Sequence, residues 1–494
     1  MLKRLFEHVS WYTLGAFLTT LASFISFPLL ARTFTVAEYG VLNLISVTML
    51  LLVGFAKAGV QHSVVRFYGD ASVSDPDRLP RYRATVLYGM LFSGVIVTVL
   101  WVLITALLPG EIWHHPQTHV LLLIAAAAAL VRTADSAFVN LLRAQERSTA
   151  YTIYQIVKKY LGLLGTVAAL WWLAAGLMGY YVAMLISEAV VLIGLACFSF
   201  RSEAWRPRDF DPQLYRSMMA FGIPMIGYEV MGIVLNVGDR YVIGWFEGNE
   251  SVGIYTAAYN LCEYVEAIFI VSVQQAIQPI YVKLWNASGA GPTSEFLGKT
   301  LHLYIAGGAV IVAGVSAVGP EMLTVLASSK YVSGSAIIPL VMIGMMLRGA
   351  AVILGAGMYL HLQPRKSMLL VAAVAVFNIL LNCVLVPYMG IQGAALATAI
   401  CCVVQVVGMY MLGSQWLKIE IPWSILARYT ALGLVMYFLT CEVQLDNEWL
   451  SLVAKIGVGA LLAAVLSLIV DGEMRRLASI ALQRTGLRRM EIRS

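Results

Sequence analysis

The chain has 494 residues, 60% of them hydrophobic and only 12% charged, against a soluble norm of about 45 to 50% apolar. A soluble globular protein is excluded, because uncharged apolar windows longer than about 18 residues recur along the chain, as in VLYGMLFSGVIVTVLWVLITALL from Val86. The net charge of +6 matters less than its placement, since lysines and arginines near span ends set orientation.

The N-terminal MLKRLFEHVSWYTLG has the basic start of a signal peptide, but the apolar run that follows is too long for one and reads as a retained first span. Residues 24 to 45, FISFPLLARTFTVAEYGVLNLI, surface at Arg32, turn at Glu38-Tyr39-Gly40 and become oily again at once. That pattern is a helix leaving the bilayer for a few residues and returning as a second crossing. The same reading along the chain predicts fourteen spans, centred near Leu21, Leu51, Val97, Leu130, Leu161, Ser187, Val230, Ala267, Val310, Leu347, Asn378, Cys402, Leu434 and Leu461. No soluble domain fits between them, so the fold class is an all-α integral membrane protein of about fourteen transmembrane helices. The six cysteines, Cys197, Cys262, Cys383, Cys401, Cys402 and Cys441, fall inside apolar windows without zinc or disulfide spacing, and read as small packing residues.

Orientation is testable on the same residues. With the N-terminus inside, 24 of the 33 basic residues fall on cytoplasmic segments, among them Arg78, Arg81, Arg83, Arg206, Arg208, Arg365 and Lys366. The outer loops hold only Arg32 and Lys330. Both termini are therefore expected in the cytoplasm.

An internal repeat also appears. Gly176 of GLMGYYVAMLISEAVV matches Gly390 of GIQGAALATAICCVV at an offset of 214, Gly40 matches Gly253 of SVGIYTA at 213, and Gln145 matches Gln363 at 218. An offset of six crossings predicts two six-helix lobes of parallel topology, related by an axis along the membrane normal. The expected organisation is an N-terminal lobe over 1–200, a cytoplasmic linker over 201–216, a C-terminal lobe over 217–417, an appended helix pair over 418–471 and a cytoplasmic basic tail over 472–494. The tail reads as a basic helix on the anionic inner leaflet.

Two six-span lobes are a transporter architecture, and three stretches carry a resemblance. FISFPLLARTFTVAEYGVLNL, GDRYVIGWFEGNESVGIYTAAYNL and VPYMGIQGAALATAI resemble the signatures of the polysaccharide flippases, the Wzx-type branch of the MOP exporter superfamily. The resemblance covers the whole chain and says nothing of the sugar. It implies a V-shaped pair of lobes around a central cavity, moving undecaprenyl-pyrophosphate-linked oligosaccharide across the bacterial inner membrane. The partners it implies are that lipid-linked oligosaccharide, membrane lipid, and a polysaccharide polymerase and chain-length regulator. It makes Arg32, Tyr39 and Gly40 the outer hinge of the first lobe, with Asp239, Arg240 and Gly253 as their counterparts in the second.

Ionisable groups at bilayer depth cost about 2.5 to 3.5 kcal/mol each on insertion scales, so they are the default functional candidates. The first lobe has Lys57, Arg132, Asp135, Lys158, Lys159 and Glu188, a sum of +2; the second has Glu229, Asp239, Arg240, Glu263, Glu266 and Arg348, a sum of −2. Lys57, Arg132, Lys158, Lys159 and Arg348 are the candidates for a pyrophosphate. Lys57, Lys158 and Lys159 lie about one turn toward the cytoplasm from the midplane, where a headgroup from inside meets them first. Consecutive Lys158 and Lys159 point about 100° apart, so one is expected to snorkel to the inner headgroups.

Each has a plainer alternative. Arg132 and Asp135 stand three apart on one face and are suited to neutralise one another. Lys57 is also placed to snorkel. Asp239 and Arg240 read as a structural cap of the hinge rather than as substrate contacts. Glu188, Glu229, Glu263 and Glu266 are candidates to hold a coupling proton or sodium ion, with pairing to Arg348 the alternative for Glu263 and Glu266. Trp171, Trp172, Tyr180 and Tyr181 read as an interfacial aromatic belt. His114, His115 and His119 lack an acidic or cysteine partner, so no metal site is expected. No Walker motif occurs, so no nucleotide cofactor and no ATP-driven step within this chain is expected, and nothing points to nucleic acid. The sequence is therefore expected to encode a non-enzymatic flippase. Its rivals are an ion-coupled exporter of drugs or small cations, against which the inner-half lysines argue, and an oligosaccharide polymerase or ligase, which needs a larger outer loop than any here.

Overall fold

The computed structural model describes residues 2–74, 78–107, 118–171, 176–202, 206–361, 363–476 and 479. Among these, every regular element is helical and there is no strand. Helices satisfy their backbone hydrogen bonds within one segment, which lipid demands. His114, His115, Trp172 and most of the basic tail lie outside the described residues.

Eleven stretches of the described residues are long and apolar enough to cross a membrane. Two of them, Met225–Ser288 and Arg365–Gly413, each supply two crossings, interrupted at Gly248 (φ 83°) and Gly390 (φ 57°). Positive φ is the conformation only glycine adopts without strain, so these residues end one crossing and begin the next. Ser148–Trp171, made less apolar by Lys158 and Lys159, is the fourteenth long helix.

The surfacing at Arg32 has a local cause. Thr35 caps the helix Val36–Ala56: its hydroxyl accepts from the Glu38 N–H at 3.2 Å, while the Glu38 carboxylate accepts from the Thr35 N–H at 2.9 Å. This reciprocal box satisfies two donors a helix start leaves orphaned.

The chain packs as two compact units. One comprises Met1–Thr256 with Val371–Gly390, the other Ala257–Leu370 with Ile391–Ser494. In the first, a core around Tyr82, Val86, Met90, Leu141 and Met218 joins the helices Val60–Ser74, Leu79–Leu107, Thr118–Ala144 and Pro212–Val237. Ser93 donates to the Ala56 carbonyl at 2.6 Å, and Tyr181 to the Leu42 carbonyl at 2.7 Å. Tyr181 is wholly buried, so it is not part of an interfacial belt, whereas Trp171 is exposed as such a belt requires. Tyr181 buries its ring because its hydroxyl finds a backbone acceptor.

In the second unit, Ala290–Met322 packs against both Trp423–Cys441 and Glu448–Val470, with Ala306, Tyr429 and Leu432 between them. One π-helical turn, Ala267–Val271, interrupts its helices, and another, Leu323–Ala327, ends the helix from Ala290. Such turns mark functional or strained positions, and the first directly follows Glu266.

Candidate functional site

Within the first unit, helices far apart in sequence bring charges of opposite sign together. Arg132 on Thr118–Ala144 grips Glu188 on Gly176–Ser202 with two parallel bonds of 2.9 Å, from Nε and Nη2. Asp135, one turn on, takes Lys158 Nζ at 2.8 Å on one oxygen and the Tyr154 hydroxyl on the other. Arg132 and Asp135 therefore do not neutralise one another, as their spacing suggested. Each points to a different neighbouring helix, where a fork or an ammonium reaches it with better geometry than a same-helix contact offers.

Lys57 follows Val36–Ala56 as its C-terminal cap and lies 3.7 Å from Glu229 on Pro212–Val237. His62 Nε2 lies 3.1 Å from the same carboxylate, and Gln61 Nε2 donates to it as well. Lys158 and Lys159 diverge as expected. Lys158 is half-buried in its pair, while Lys159 is exposed, makes no ion pair among the described residues, and lies in the field of Arg132, Glu188 and Lys158. Four cations and three carboxylates thus interleave on five helices of one unit.

In the second unit, Arg348 Nη2 donates to both oxygens of Glu266, at 2.9 and 3.1 Å, and Tyr259 hydrogen-bonds the same guanidinium. The alternative weighed for Glu266, pairing with Arg348, is what occurs. Glu263 is exposed.

Gly40 and Gly253, expected as hinge residues, fall at two close backbone contacts. A Cβ on Gly40 would stand 1.8 Å from the Asn249 carbonyl oxygen, and one on Gly253 would stand 2.1 Å from the Val36 carbonyl oxygen. Two helices meet here backbone to backbone, which any side chain forbids. Tyr39 is buried beside them, edge-on to Phe27, and Arg32 is exposed at the preceding helix end. Asp239 and Arg240 are buried. Tyr255 donates to Asp239 Oδ2 at 2.5 Å, Asp239 Oδ1 has no hydrogen-bond partner among the described residues, and Arg240 Nε donates to Thr256 at 3.3 Å. At the other end of Val36–Ala56, Gly59 (φ 70°) meets Gly222, with a Cβ on Gly59 only 2.2 Å from the Gly222 carbonyl oxygen.

Sequence reasoning missed several partners. Gln61 and His62 are polar residues one turn beyond Lys57 and carry no fixed charge. Lys455, buried in Glu448–Val470, bonds Glu321 at 2.5 Å, and Ser451 donates to the same oxygen at 3.4 Å. Lys455 interrupts an apolar run as Arg348 does, so the same criterion finds it. His302 and Tyr429 converge on Asp471, at 2.7 and 3.0 Å. Asp471 lies just past the last crossing. Burial works against its charge, but the bonds from His302, the Glu473 N–H and Tyr429 prevail and hold its carboxyl below the usual aspartate range.

Residues 5–285 match the family described as polysaccharide biosynthesis protein. The chain belongs to that family. A curated relative, the amylovoran biosynthesis protein AmsL of Erwinia amylovora, is 24% identical over 181 residues, 36% of this chain. The match spans 45% of that relative's length. Among solved structures, the lipid II flippase MurJ in an inward closed conformation superposes with a TM-score of 0.76 at 16% identity, over 93% of this family member and 98% of MurJ. An inward-facing multidrug resistance MATE transporter of the MOP superfamily superposes with a TM-score of 0.59 at 16% identity, over 81% of this chain and 93% of the transporter. At such identities the likeness establishes the fold: an all-α, multi-pass membrane fold of the MOP kind.

Proposed function

We propose that this polysaccharide biosynthesis protein is a flippase that carries undecaprenyl-pyrophosphate-linked oligosaccharide across the bacterial inner membrane by alternating access. The observation that supports it is the cluster of Lys57 at the end of Val36–Ala56, Arg132 on Thr118–Ala144, and Lys158 and Lys159 on Ser148–Trp171, three held by carboxylates and one exposed. Two phosphates leaving water need their charge compensated, since an unpaired buried charge costs several kcal/mol. Cations that wait empty at the same depth need compensation too, and Glu229, Glu188 and Asp135 supply it. The pyrophosphate replaces one set of anions with another. In the second unit Arg348 plays the same part with Glu266 as its resting partner, and Glu263 is the carboxylate assigned to ion coupling.

In this reading the six-span repeats are the two lobes, the termini are cytoplasmic, and the contact of Gly40 and Gly253 lies at the outer end. The product is handed to a polymerase and a chain-length regulator. The test is native mass spectrometry of the purified protein in nanodiscs with undecaprenyl pyrophosphate or undecaprenol. The expected result is a preference for the pyrophosphate that Lys57→Ala and Arg132→Ala weaken. Equal binding of the charged and uncharged lipids overturns it.

A further inference from the structure

Lys57 sits at a break with unusual geometry. The helix Val36–Ala56 ends, Ala58 takes φ 47° and Gly59 φ 70°, and a second helix, Val60–Ser74, begins at once. A non-glycine residue in the left-handed region costs roughly 1 to 2 kcal/mol, and such conformations persist only where the surroundings hold them. Here the holding group is identifiable. Glu229, on the separate helix Pro212–Val237, takes Lys57 from before the break and Gln61 and His62 from after it. One carboxylate therefore staples both sides of a strained turn to a third helix.

The staple closes a longer seam. Between the stapled residues Gly59 approaches Gly222 backbone to backbone, and further along Phe67 lies edge-on to Phe221 at 6.5 Å with the Arg66 guanidinium 4.6 Å over the Phe221 ring. Residues 57 to 67 thus meet 221 to 229 at several points. The Lys57–Glu229 pair is also the longest of the three Lys or Arg ion pairs in this cluster: its 3.7 Å separation compares with 2.8 Å for Lys158–Asp135 and 2.9 Å for Arg132–Glu188.

We infer that Glu229 is a latch displaced by substrate: it keeps this seam shut until a phosphate anion takes Lys57 from it. The inference rests on the pyrophosphate reading of Lys57. A phosphate oxygen bound directly to the ammonium at about 2.7 to 2.9 Å outcompetes a carboxylate at 3.7 Å. Glu229 then loses its charged partner, and the strain at Ala58 favours release of the turn. The device makes opening conditional on cargo: an empty protein stays zipped, and a lipid without phosphate lacks the group that unlocks it.

The experiment is hydrogen exchange of amides 58 to 67 in nanodiscs, with lipid binding measured on the same samples. Undecaprenyl pyrophosphate is expected to speed exchange about tenfold or more in the natural protein, the loss expected when a hydrogen-bonded charge goes, whereas undecaprenol has no effect. Glu229→Gln is expected to show the fast exchange without lipid, and Lys57→Arg to keep both the slow basal rate and the response. Binding of the pyrophosphate lipid without faster exchange overturns the latch alone, as does natural exchange in Glu229→Gln. Failure of that lipid to bind overturns the pyrophosphate reading and the latch with it.

Discussion

Gly40 is the position where a single methyl group has the most calculable effect. Its Cβ would stand 1.8 Å from the Asn249 carbonyl oxygen, whereas real Cβ atoms keep at least 3.0 Å, so Gly40→Ala forces the two backbones apart by about 1.2 Å. A Cβ at Gly253 would likewise stand only 2.1 Å from the Val36 carbonyl oxygen, so the other side leaves no slack. Overpacking of this kind costs about 1 to 3 kcal/mol, a factor of roughly 5 to 150 in a two-state equilibrium. If the contact forms only when the outer mouth is closed, Gly40→Ala holds the transporter open to the outside and export falls by a comparable factor. The assay is surface polysaccharide in a strain lacking its own flippase, normalised to membrane protein level. A cysteine pair at Tyr39 and Gly253, with the native cysteines replaced, supplies the opposite perturbation by locking the mouth shut. Full export by Gly40→Val at normal protein level, or with that crosslink formed, refutes the reasoning.

Three further outcomes are expected. Lys455→Met leaves Glu321 buried beside Ser451 without its cation, at a cost of about 3 to 5 kcal/mol; the melting temperature in detergent should fall, and Lys455→Met with Glu321→Gln should recover most of it. Equal melting of the single and double variants would count against a coupled pair. Asp471, whose folded-state pKa lies below its unfolded value, contributes stability above the unfolded value of about 3.9, lost as pH falls through the lower folded value. The melting temperature should drop over that acid window, and Asp471→Asn should flatten the drop. Reporter fusions should place Ser74, Arg206, Arg365 and Ser494 in the cytoplasm and Pro116, Asn249 and Asn447 outside, and a periplasmic Arg206 would overturn the assigned orientation.

The helices were legible because lipid allows so few solutions: a charge-free window of sufficient length has to be a helix. The breaks at Gly248 and Gly390 were legible as turns for the same reason. The close approach at Gly40 and Gly253 also left a trace, since the two glycines were a repeat match before they were neighbours. The partners of the buried charges were not legible. Arg132 and Asp135 share a helical face, yet the fork of Arg132 meets Glu188, 56 residues away, and Asp135 meets Lys158. Pairing across helices depends on their rotation and depth, which apolar composition leaves open. The break at Ala58 was hidden too, because an alanine at φ 47° looks in sequence like a good helix former.

Lipid transport is tested by reconstitution. Proteoliposomes carrying a fluorescent undecaprenyl-pyrophosphate-linked saccharide are treated with a membrane-impermeant quencher. The protein is expected to let quenching proceed beyond the outer leaflet's share, and the Lys57→Ala, Arg348→Ala double variant, equally well inserted, is not. Quenching confined to the outer leaflet with the natural protein, or undiminished flipping by the double variant, contradicts it.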